Sequence, residues 1–483
     1  MLKLLRNDKL QVFWFIFHAA LGFACVKSMY PLVLWFYLVC AGFLISVFSK
    51  KDTQFNLLCF LAYVLGFEVL GRGVAAAPLI PHEVGKYTAL IGFIVGLAMG
   101  GPIKKISIYG VAMLVLSLPA LLMMPKYEFA NIVFNYFGPA ALFFGVIFCN
   151  RQIITYSQYK ELVRIMVYSI FSLACFAIFR ASTFEKIEYS LTANFETSGG
   201  SITNQVATLF GTAVCFIVIM YLTGQRLFKY KWMDISLLLL FSIRGLLTFS
   251  RGGMVSAAVA ILVVIFMPKA KAAFQDSQVK IKHISPASVL VILLLMVGSF
   301  YFVNAITNNY LLWRYQGKTE RSIATGFDND VDLNQITSGR VAILQTDINM
   351  FMAFPALGVG LGQSKYLRSE YGGEGMAGSH LEFSRLLAEH GFLGVILVIM
   401  IYIYPFFRLF HEPNNYRRII NMIFLLMALS ATFHNAMRTM ITPLLFSFTY
   451  LHLVPDNYDW QAHLRAKKRY TPTKAIREPE PVT

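Results

Sequence analysis

Apolar segments long enough to cross a membrane recur along most of this chain. A helix rises about 1.5 Å per residue and the hydrocarbon core of a bilayer is about 30 Å thick, so about 20 apolar residues cross it. Of the 483 residues, 57% are hydrophobic and only 14% are charged, which excludes a water-soluble fold. Membrane strands would alternate polar and apolar residues, and these segments do not. The sequence therefore predicts an all-α polytopic membrane protein.

We expect about 12–14 transmembrane helices from the apolar segments. The predicted spans are 10–26, 31–49, 55–71, 87–100, 108–124, 134–149, 165–179, 205–222, 235–249, 252–267, 286–306, 391–410, 419–437 and 443–454. The first of them follows a basic start and leads directly into the second, so we interpret it as a span and not as a signal peptide.

The spacing of these spans divides the chain into four parts. They are the N-terminal membrane helices (1–306), one large external loop (307–390), the C-terminal membrane helices (391–454) and a basic tail (455–483). A loop as long as 307–390 is usually functional or disordered, and this one carries helical periodicity and caps. We therefore expect it to hold the functional site.

The basic residues predict how the chain is oriented. Twenty of the lysines and arginines lie in short segments on one side of the predicted spans, and eight lie in the short loops on the other. Because cytoplasmic loops carry the excess of basic residues, both termini are predicted to be cytoplasmic and the loops 180–204 and 307–390 external. This distribution also accounts for the net charge of +17 without a nucleic-acid partner.

Arg340 opens the first predicted helix of the large loop, at 340–354, with Thr337 and Ser338 as N-cap candidates. The positive end of a helix dipole favours anions, so an arginine there indicates an external anion. Dipole and guanidinium together would form a phosphate or pyrophosphate site, and arginine offers bidentate geometry. The alternative is an Arg340 that pairs with Asp347 or with a lipid headgroup.

His380 belongs to a second predicted helix of the loop. Ser379 and Glu382 have the spacing of a capping box, which predicts a helix over 381–390 with His380 in its first turn. A helix N-terminus favours the neutral imidazole, which can act as a base. The alternative is a structural histidine, and His390 at the other end of the helix is a weaker candidate.

Arg251 lies in a short hairpin, 249–253, between two spans, and Arg244 lies inside the preceding span. Charged side chains at such depth usually face a protein interior or an aqueous cavity. Gly252 and Gly253 would let a headgroup approach the backbone closely. The alternative for Arg251 is a side chain that extends to the membrane surface.

Other charged residues at the predicted external ends of spans are secondary candidates. They are Glu68, Arg72, Glu83, Lys86, His434 and Arg438. The four-residue spacing of Glu68 and Arg72 also permits a simple ion pair between them.

Two motifs that resemble ligand loops lack the required residues. Asp328, Asp330 and Asp332 are spaced like the start of a calcium loop, but the turn glycine and the distal glutamate are missing. Gly358, Gly360 and Gly362 do not form a nucleotide-binding pattern, so we interpret 358–362 as a flexible turn. We therefore predict no metal site and no nucleotide cofactor.

Four segments, in this order and spacing, resemble the bacterial O-antigen ligase and O-antigen polymerase superfamily over about residues 235–410. They are Phe249-Ser-Arg-Gly-Gly253, Ser338-Gly-Arg340, Pro355-Ala-Leu-Gly-Val-Gly-Leu-Gly362 and Ser379-His-Leu-Glu-Phe-Ser-Arg-Leu-Leu-Ala-Glu-His-Gly391. The resemblance implies a GT-C-type membrane glycosyltransferase that takes glycan from undecaprenyl pyrophosphate on the periplasmic face of the bacterial inner membrane. It implies no cofactor and no metal.

The resemblance also implies roles for individual residues. Arg251 and Arg340 would contact the pyrophosphate, and His380 would serve catalysis. We add Arg244, inside the span before the hairpin, as a further candidate for the pyrophosphate contact. Arg385, in the same segment as His380, is a further candidate. The family usually has asparagine after this histidine, where this chain has leucine, so the hydrogen-bond partner of His380 stays open.

The acceptor distinguishes the alternatives within the superfamily. A ligase uses a lipid A-core sugar, whereas a polymerase uses the end of a growing glycan. The polymerase pattern places a glycine eleven positions after an arginine of the external loops, and no arginine here has it, which favours the ligase. Tyr366 and Tyr371 could stack on sugar faces.

A lipid-linked oligosaccharide flippase or other transporter is an alternative of a different class, although no internal repeat supports it.

Overall fold

The computed structural model describes most of the chain. The described residues are 2–48, 52–123, 129–181, 187–200, 202–267, 286–325, 337, 339–373 and 381–458. His380 and the acidic stretch 328–332 lie outside them. Within the described residues, seven helices are long and apolar enough to cross a membrane: Asp8–Lys27, Tyr30–Val47, Thr53–Gly73, Tyr156–Arg180, Thr203–Leu222, Val289–Ile306 and Phe392–Phe410. The prediction of an all-α polytopic membrane protein is confirmed.

The helices before the large loop follow the predicted spans closely. They are α1 (Leu2–Leu5), α2 (Gln11–Lys27), α3 (Tyr30–Phe48), α4 (Thr53–Gly73), α5 (Val84–Ala98), α6 (Ile108–Leu122), α7 (Phe129–Cys149), α8 (Tyr156–Arg180), α9 (Thr203–Leu222), α10 (Lys231–Leu247), α11 (Arg251–Phe266) and α12 (Pro286–Ile306). Several of these, α5, α6 and α11 among them, are apolar but shorter than the about 20 residues that a perpendicular crossing requires.

The large loop and the C-terminal part contain shorter helices. They are α13 (Tyr310–Gln316), α14 (Glu320–Thr325), α15 (Arg340–Ala353), α16 (Ser364–Leu367), α17 (Glu382–His390), α18 (Phe392–Val398), α19 (Tyr404–Phe410), α20 (Asn415–Thr432) and α21 (Ile441–Phe448). Short 3-10 turns lie at Asp8–Leu10 and Arg368–Tyr371, and a π-helical segment, Ile399–Ile403, interrupts the predicted span 391–410. Two short strands, β1 (Ile153–Thr155) and β2 (His452–Val454), pair in parallel.

The last two predicted spans are wrong in their boundaries. Helix α20 ends at Thr432, five residues before the predicted end, and residues 433–440 form a turn in which Ala436 has φ +48°. After α21 the chain continues into β2, where a helix was predicted up to residue 454. High hydropathy indicates burial, and most of these residues are buried without being helical.

The core of the bundle lies around α4, α8 and α9, which are almost wholly buried. Helix α8 packs against α2 and α4, and α9 packs against α10 and α11. By contrast, α2, α3 and α12 leave most of their apolar surface exposed. For a membrane protein this exposed surface is the part that faces lipid.

Helices α9 and α11 approach each other closely in this core. A Cβ atom added to Gly253 would lie 2.2 Å from the carbonyl group of Ala207, and Gly211 meets the carbonyl of Gly253 in the same way. The ring of His434 covers Gly252. The expectation that these two glycines expose the backbone to a headgroup is therefore wrong, because protein atoms already occupy both positions.

Gly253→Ala is therefore expected to destabilise the protein by about 1–3 kcal/mol, the usual cost of overpacking a core. Gly298→Ala is the matched control, because Gly298 also lies inside a helix but no atom lies within 4 Å of its added Cβ. Thermal unfolding of the purified variants checks this. An unchanged unfolding temperature for Gly253→Ala would contradict the packing.

Segments predicted on the same side of the membrane meet each other. At one end, Arg6 pairs with Glu161 at 2.6 Å, and Arg164 pairs with Asp8. At the other end, the segment 187–200, which is predicted to be external, lies on the turn between α10 and α11 and contacts α13 of the large loop. This grouping fits the predicted alternation of the spans.

Candidate functional site

The turn between α10 and α11 holds Arg251 against an arginine that the sequence did not single out. Arg251 is the first residue of α11, and its Nη1 donates to the main-chain oxygen of Arg314 at 2.7 Å. In return, Nε of Arg314 donates to the main-chain oxygen of Phe249 at 2.6 Å, and its Nη1 donates to that of Leu191. Helix α13 is thereby fixed on the turn.

Arg340 completes a group that we call the arginine triad: Arg251, Arg314 and Arg340. Burial, together with the charges of Arg251 and Arg340, lowers the pKa of Arg314 to about 10. Burial, and then the charge of Arg251, lowers the pKa of Arg340. Three like charges therefore lie close enough to repel one another, and all stay charged at neutral pH.

Two members of the triad lack an acidic partner. Within the described part of the chain, neither Arg314 nor Arg340 forms a salt bridge. The only hydrogen bond described for the Arg340 side chain runs from Nη1 to the main-chain oxygen of Thr337, while its buried Nε has no partner among the described residues. Buried cations without compensation are costly, so the arrangement favours a bound anion.

The alternative of an Arg340–Asp347 pair is wrong. Asp347 accepts from Nη2 of Arg368 at 2.9 Å and from the hydroxyl of Ser384 at 2.6 Å. Arg368 is fully buried and also donates to Thr346. Asp347 thereby ties α15 to the 3-10 turn Arg368–Tyr371 through the ion pair and to α17 through Ser384, and it does not pair with Arg340.

The start of α15 differs in one detail from the prediction. Its N-cap is Gly339 at φ +76°, and no side chain caps the helix, so Thr337 is not the cap. The predicted extent of the helix, 340–354, is otherwise correct to within one residue.

Helix α17 begins later than predicted. Leu381 is its N-cap, without a side-chain cap hydrogen bond, and Glu382 is its first residue, so the N-cap is not Ser379 as the proposed capping box requires. His380 itself lies outside the described residues. At the far end, Gly391 at φ +58° does end the helix.

The side chain of Glu382 is used in a buried ion group on α17. Arg385 donates to Glu382 at 2.5 Å and to Glu389 at 3.2 Å, and the hydroxyl of Ser364 donates to Glu389 at 2.7 Å. Arg385, a secondary candidate from the sequence, is therefore held between two carboxylates.

The turn 433–440 connects this ion group to α4. The main-chain N–H of Met437 donates to Glu382 at 3.3 Å, and that of Met440 donates to Glu68 at 2.8 Å. Because buried main-chain donors need partners, these carboxylates hold the turn in place of helical hydrogen bonds.

Arg72 has the ion pair with Glu68 that its spacing permitted, at 2.8 Å. It also donates to the main-chain oxygen of Arg438 at 3.2 Å. Glu83, at 3.7 Å from Arg72, lies 2.6 Å from the buried Lys86. These candidates thus form one network that supports the turn 433–440.

The side chains of His434 and Arg244 each contact a different part of the helical bundle. Nε2 of His434 lies 2.6 Å from the hydroxyl of Thr208. Nη2 of Arg244 donates to the main-chain oxygens of Ala177 and Thr197, at 2.7 and 2.5 Å. The contacts of Arg244 anchor the segment 187–200 on α8 and α10, and the contact of His434 joins the turn 433–440 to α9.

The glycine-rich turn 358–362 is packed and not the flexible turn that was predicted. Its three glycines have φ values of +71°, +90° and +71°. The main-chain N–H of Val359 donates to Ala388 and that of Leu361 donates to Ala120, both at 2.9 Å. An added Cβ at Gly358 would lie 2.4 Å from Glu389, so the turn needs glycine to pack on α17.

The remaining candidates lie near this turn. Tyr366 is exposed, with the ammonium of Lys365 4.4 Å from its ring centroid, whereas Tyr371 packs edge-on against Phe354. His390 is buried, and burial, with the charge of Arg385 adding to it, lowers the pKa of His390 to about 3. His390 is therefore neutral at physiological pH.

Sequence reasoning missed Arg314. A signal was present, because Arg314 lies between Trp313 and Tyr315 a few residues after the span 286–306. A charged residue at such a boundary usually faces a protein interior or an aqueous cavity, the same reason that selected Arg251.

Fold and site together define a class: a polytopic membrane protein with a cluster of buried arginines at one end of its helical bundle. The comparison with known families is more specific. Residues 236–399, which include the whole arginine triad, match the family described as O-Antigen ligase. This match confirms the resemblance to the O-antigen ligase and polymerase superfamily over that part of the chain. No curated protein and no solved structure matches the chain.

Proposed function

We propose that this protein is an O-antigen ligase-like glycosyltransferase. It would move a glycan from undecaprenyl pyrophosphate to a lipid A-core sugar, on the periplasmic face of the bacterial inner membrane. The family match supports a ligase or polymerase type of enzyme. The observation that carries the proposal is the arginine triad, because a lipid pyrophosphate is the anion that such a membrane-bound cationic site would bind.

In the proposed reaction the acceptor hydroxyl oxygen attacks the anomeric carbon of the donor. The bond between that carbon and the pyrophosphate oxygen breaks, and the pyrophosphate leaves with the electron pair. His380 takes the proton of the acceptor hydroxyl. The triad stabilises the charge that develops on the leaving pyrophosphate, and the main-chain hydrogen bonds of Arg251 and Arg314 fix their guanidinium groups beforehand.

The proposed orientation follows from the basic residues of the short loops. They favour cytoplasmic termini and place the segments 180–204 and 307–390 in the periplasm. Arg251 lies at the turn between α10 and α11, and Arg314 and Arg340 lie in the segment 307–390. The triad would therefore face the periplasm.

A polymerase of the same superfamily would use the same triad with a different acceptor, and the absence of its arginine–glycine spacing favours the ligase. A transporter would be expected to bind its substrate near the middle of the membrane. The triad lies at the ends of helices, which favours the enzyme.

An in vitro transfer assay tests the proposal. Protein in nanodiscs receives undecaprenyl-pyrophosphate-linked glycan and either lipid A-core or a second lipid-linked glycan, without nucleotide and with EDTA present. We expect glycan to appear on lipid A-core at a rate that EDTA does not change. Elongation of the lipid-linked glycan would indicate the polymerase, loss of activity with EDTA would contradict the metal-independent mechanism, and no transfer to either acceptor would contradict the proposed function.

A further inference from the structure

A cavity of about 570 Å³ lies at the end of the helical bundle that is predicted to be cytoplasmic. It is bounded by the first turn of α4, the segment that follows α5, and β1. At this end, Nη1 of Arg6 donates to Asn56 in the first turn of α4 at 3.2 Å, and Arg6 also pairs with Glu161. No residue of the arginine triad lines the cavity, and its volume is typical of a small-molecule site.

The N-terminus of α4 presents main-chain donors to this cavity. Asn56 is the first residue of this 21-residue helix whose N–H has a main-chain partner, the oxygen of Asp52. The side chain of Asp52 does not cap the helix, because Asp52 has φ +50° and ψ +27°, whereas a capping residue is extended. The N–H groups of Thr53, Gln54 and Phe55, which line the cavity, therefore have no acceptor among the described residues.

Gln152 adds a side-chain donor from another wall of the cavity. It is 3% exposed, and its main chain is fixed, because its N–H donates to Cys149 at 3.0 Å and its oxygen accepts from His452 at 3.1 Å. By contrast, its Nε2 is buried and has no hydrogen-bond partner in the part of the chain that the structure describes. A buried donor without a partner is costly, so this nitrogen indicates an acceptor that a ligand supplies.

Hydrogen bonds between the walls hold the cavity in shape. Nε2 of Gln54 donates to the main-chain oxygen of Gly100, which joins α4 to the segment after α5. Nε of Arg151 donates to the main-chain oxygen of Ile103 at 2.9 Å, and the N–H of Ile103 donates to the main-chain oxygen of Arg151 at 3.3 Å. Because Arg151 directly precedes Gln152, these bonds position the donors before a ligand arrives, which lowers the entropic cost of binding.

The lining residues specify the charges of the ligand. Asp52 is the only charged residue among the described lining residues, and it is exposed. The main-chain donors and Gln152 favour an anionic acceptor, whereas Asp52 favours a cation, so a zwitterion satisfies both. The other walls are largely apolar, with Phe55 and Leu58 among them. Beside them, α3 leaves most of its apolar surface exposed, as a helix that faces lipid does.

We propose that this cavity binds the phosphoethanolamine headgroup of a membrane phospholipid. The phosphate accepts from the N–H groups at the start of α4 and from Nε2 of Gln152, as phosphates at helix N-termini do. The ammonium group donates to the carboxylate of Asp52. The apolar wall contacts the start of the acyl chains, which continue along α3. This site is separate from the arginine triad and does not depend on the proposed glycosyltransferase function.

Native mass spectrometry of the full-length protein in detergent tests the assignment by measuring the Kd of the first bound lipid. The probes are dimyristoyl phosphatidylethanolamine and dimyristoyl phosphatidylglycerol, whose identical chains leave the headgroup as the difference. Soluble glycerophosphoethanolamine, which has the headgroup without acyl chains, serves as a competitor. The variants are Gln152→Leu and Asp52→Asn. Gln345→Leu and Glu188→Gln are the matched controls, at exposed positions outside the cavity.

We expect the wild type to bind phosphatidylethanolamine about fivefold more tightly than phosphatidylglycerol, because Asp52 attracts the ammonium and repels a net negative lipid. Gln152→Leu should weaken the binding of phosphatidylethanolamine about tenfold. It should not lower the thermal unfolding temperature of the lipid-free protein, since Nε2 has no described partner to lose. Asp52→Asn should bind both lipids equally, and the two controls should behave as the wild type does. Glycerophosphoethanolamine should bind at least about tenfold more weakly than the lipid, because it lacks the apolar contacts.

Four results would overturn the assignment. They are equal binding of the two lipids by the wild type, wild-type binding of phosphatidylethanolamine by Gln152→Leu, unchanged lipid preference in Asp52→Asn, and a lower unfolding temperature of lipid-free Gln152→Leu. The last would show that Gln152 has a structural role. Competition by glycerophosphoethanolamine at concentrations as low as those of the lipid would assign the cavity to a soluble ligand and exclude a membrane phospholipid as its occupant.

Discussion

Arg340→Ala is expected to lower the kcat of glycan transfer by about 10²- to 10³-fold, the usual effect of losing one preorganised donor to developing negative charge. Arg340 starts α15 and has a buried Nε without a partner among the described residues, so its guanidinium is available to a ligand. The measurement is kcat and KM for the lipid-linked donor, with the Kd of inorganic pyrophosphate as an independent readout of binding. Both kcat and pyrophosphate affinity should fall.

A conservative variant and a control variant make this test more specific. Arg340→Lys keeps the charge but loses the planar pair of donors, so its activity should lie between those of the wild type and Arg340→Ala. Arg321→Ala removes an exposed arginine from α14 of the same loop and should change neither quantity. Wild-type turnover and pyrophosphate binding by Arg340→Ala would remove Arg340 from the site.

His380→Ala is expected to slow transfer by about 10²- to 10⁴-fold, the range for loss of a general base. Because the proposed role of His380 is proton transfer, the Kd of pyrophosphate should stay unchanged. His82→Ala, which removes an exposed histidine on the predicted external side, is the matched control. A His380→Ala enzyme as fast as the wild type would exclude the base role.

The pH profile adds a second readout for His380. A base must be neutral to accept a proton, so the wild-type rate should fall as pH drops through the ordinary imidazole range, about 6.5. His390 cannot produce this fall, since burial and Arg385 lower its pKa to about 3 and keep it neutral throughout. The slope should therefore disappear in His380→Ala and persist in His390→Gln.

The predictable part of this protein consists of local properties of the chain. Hydropathy over about 20 residues placed the span 286–306 with the same limits as the helix, and the cap-and-stop pattern placed α15 to within one residue. The motifs also selected Arg251 and Arg340, which the structure brings together with Arg314. Local signals were less reliable where a boundary depends on a distant partner. Residues 433–437 of the turn 433–440 were predicted to end a helix, because their apolar residues resemble a span.

The sequence by itself determined that the chain is a membrane-spanning helical bundle, and it singled out Arg251 and Arg340 as candidate site residues. Apolar length and helix periodicity are properties of consecutive residues. Only the tertiary structure decided which charges meet. Met440 reaches Glu68 across 372 positions, Arg314 reaches Arg251 across 63, and Asp347 pairs with Arg368 and not with Arg340. Such partners are selected by burial and by the hydrogen bonds that buried charges require, and these exist only after the helices have packed.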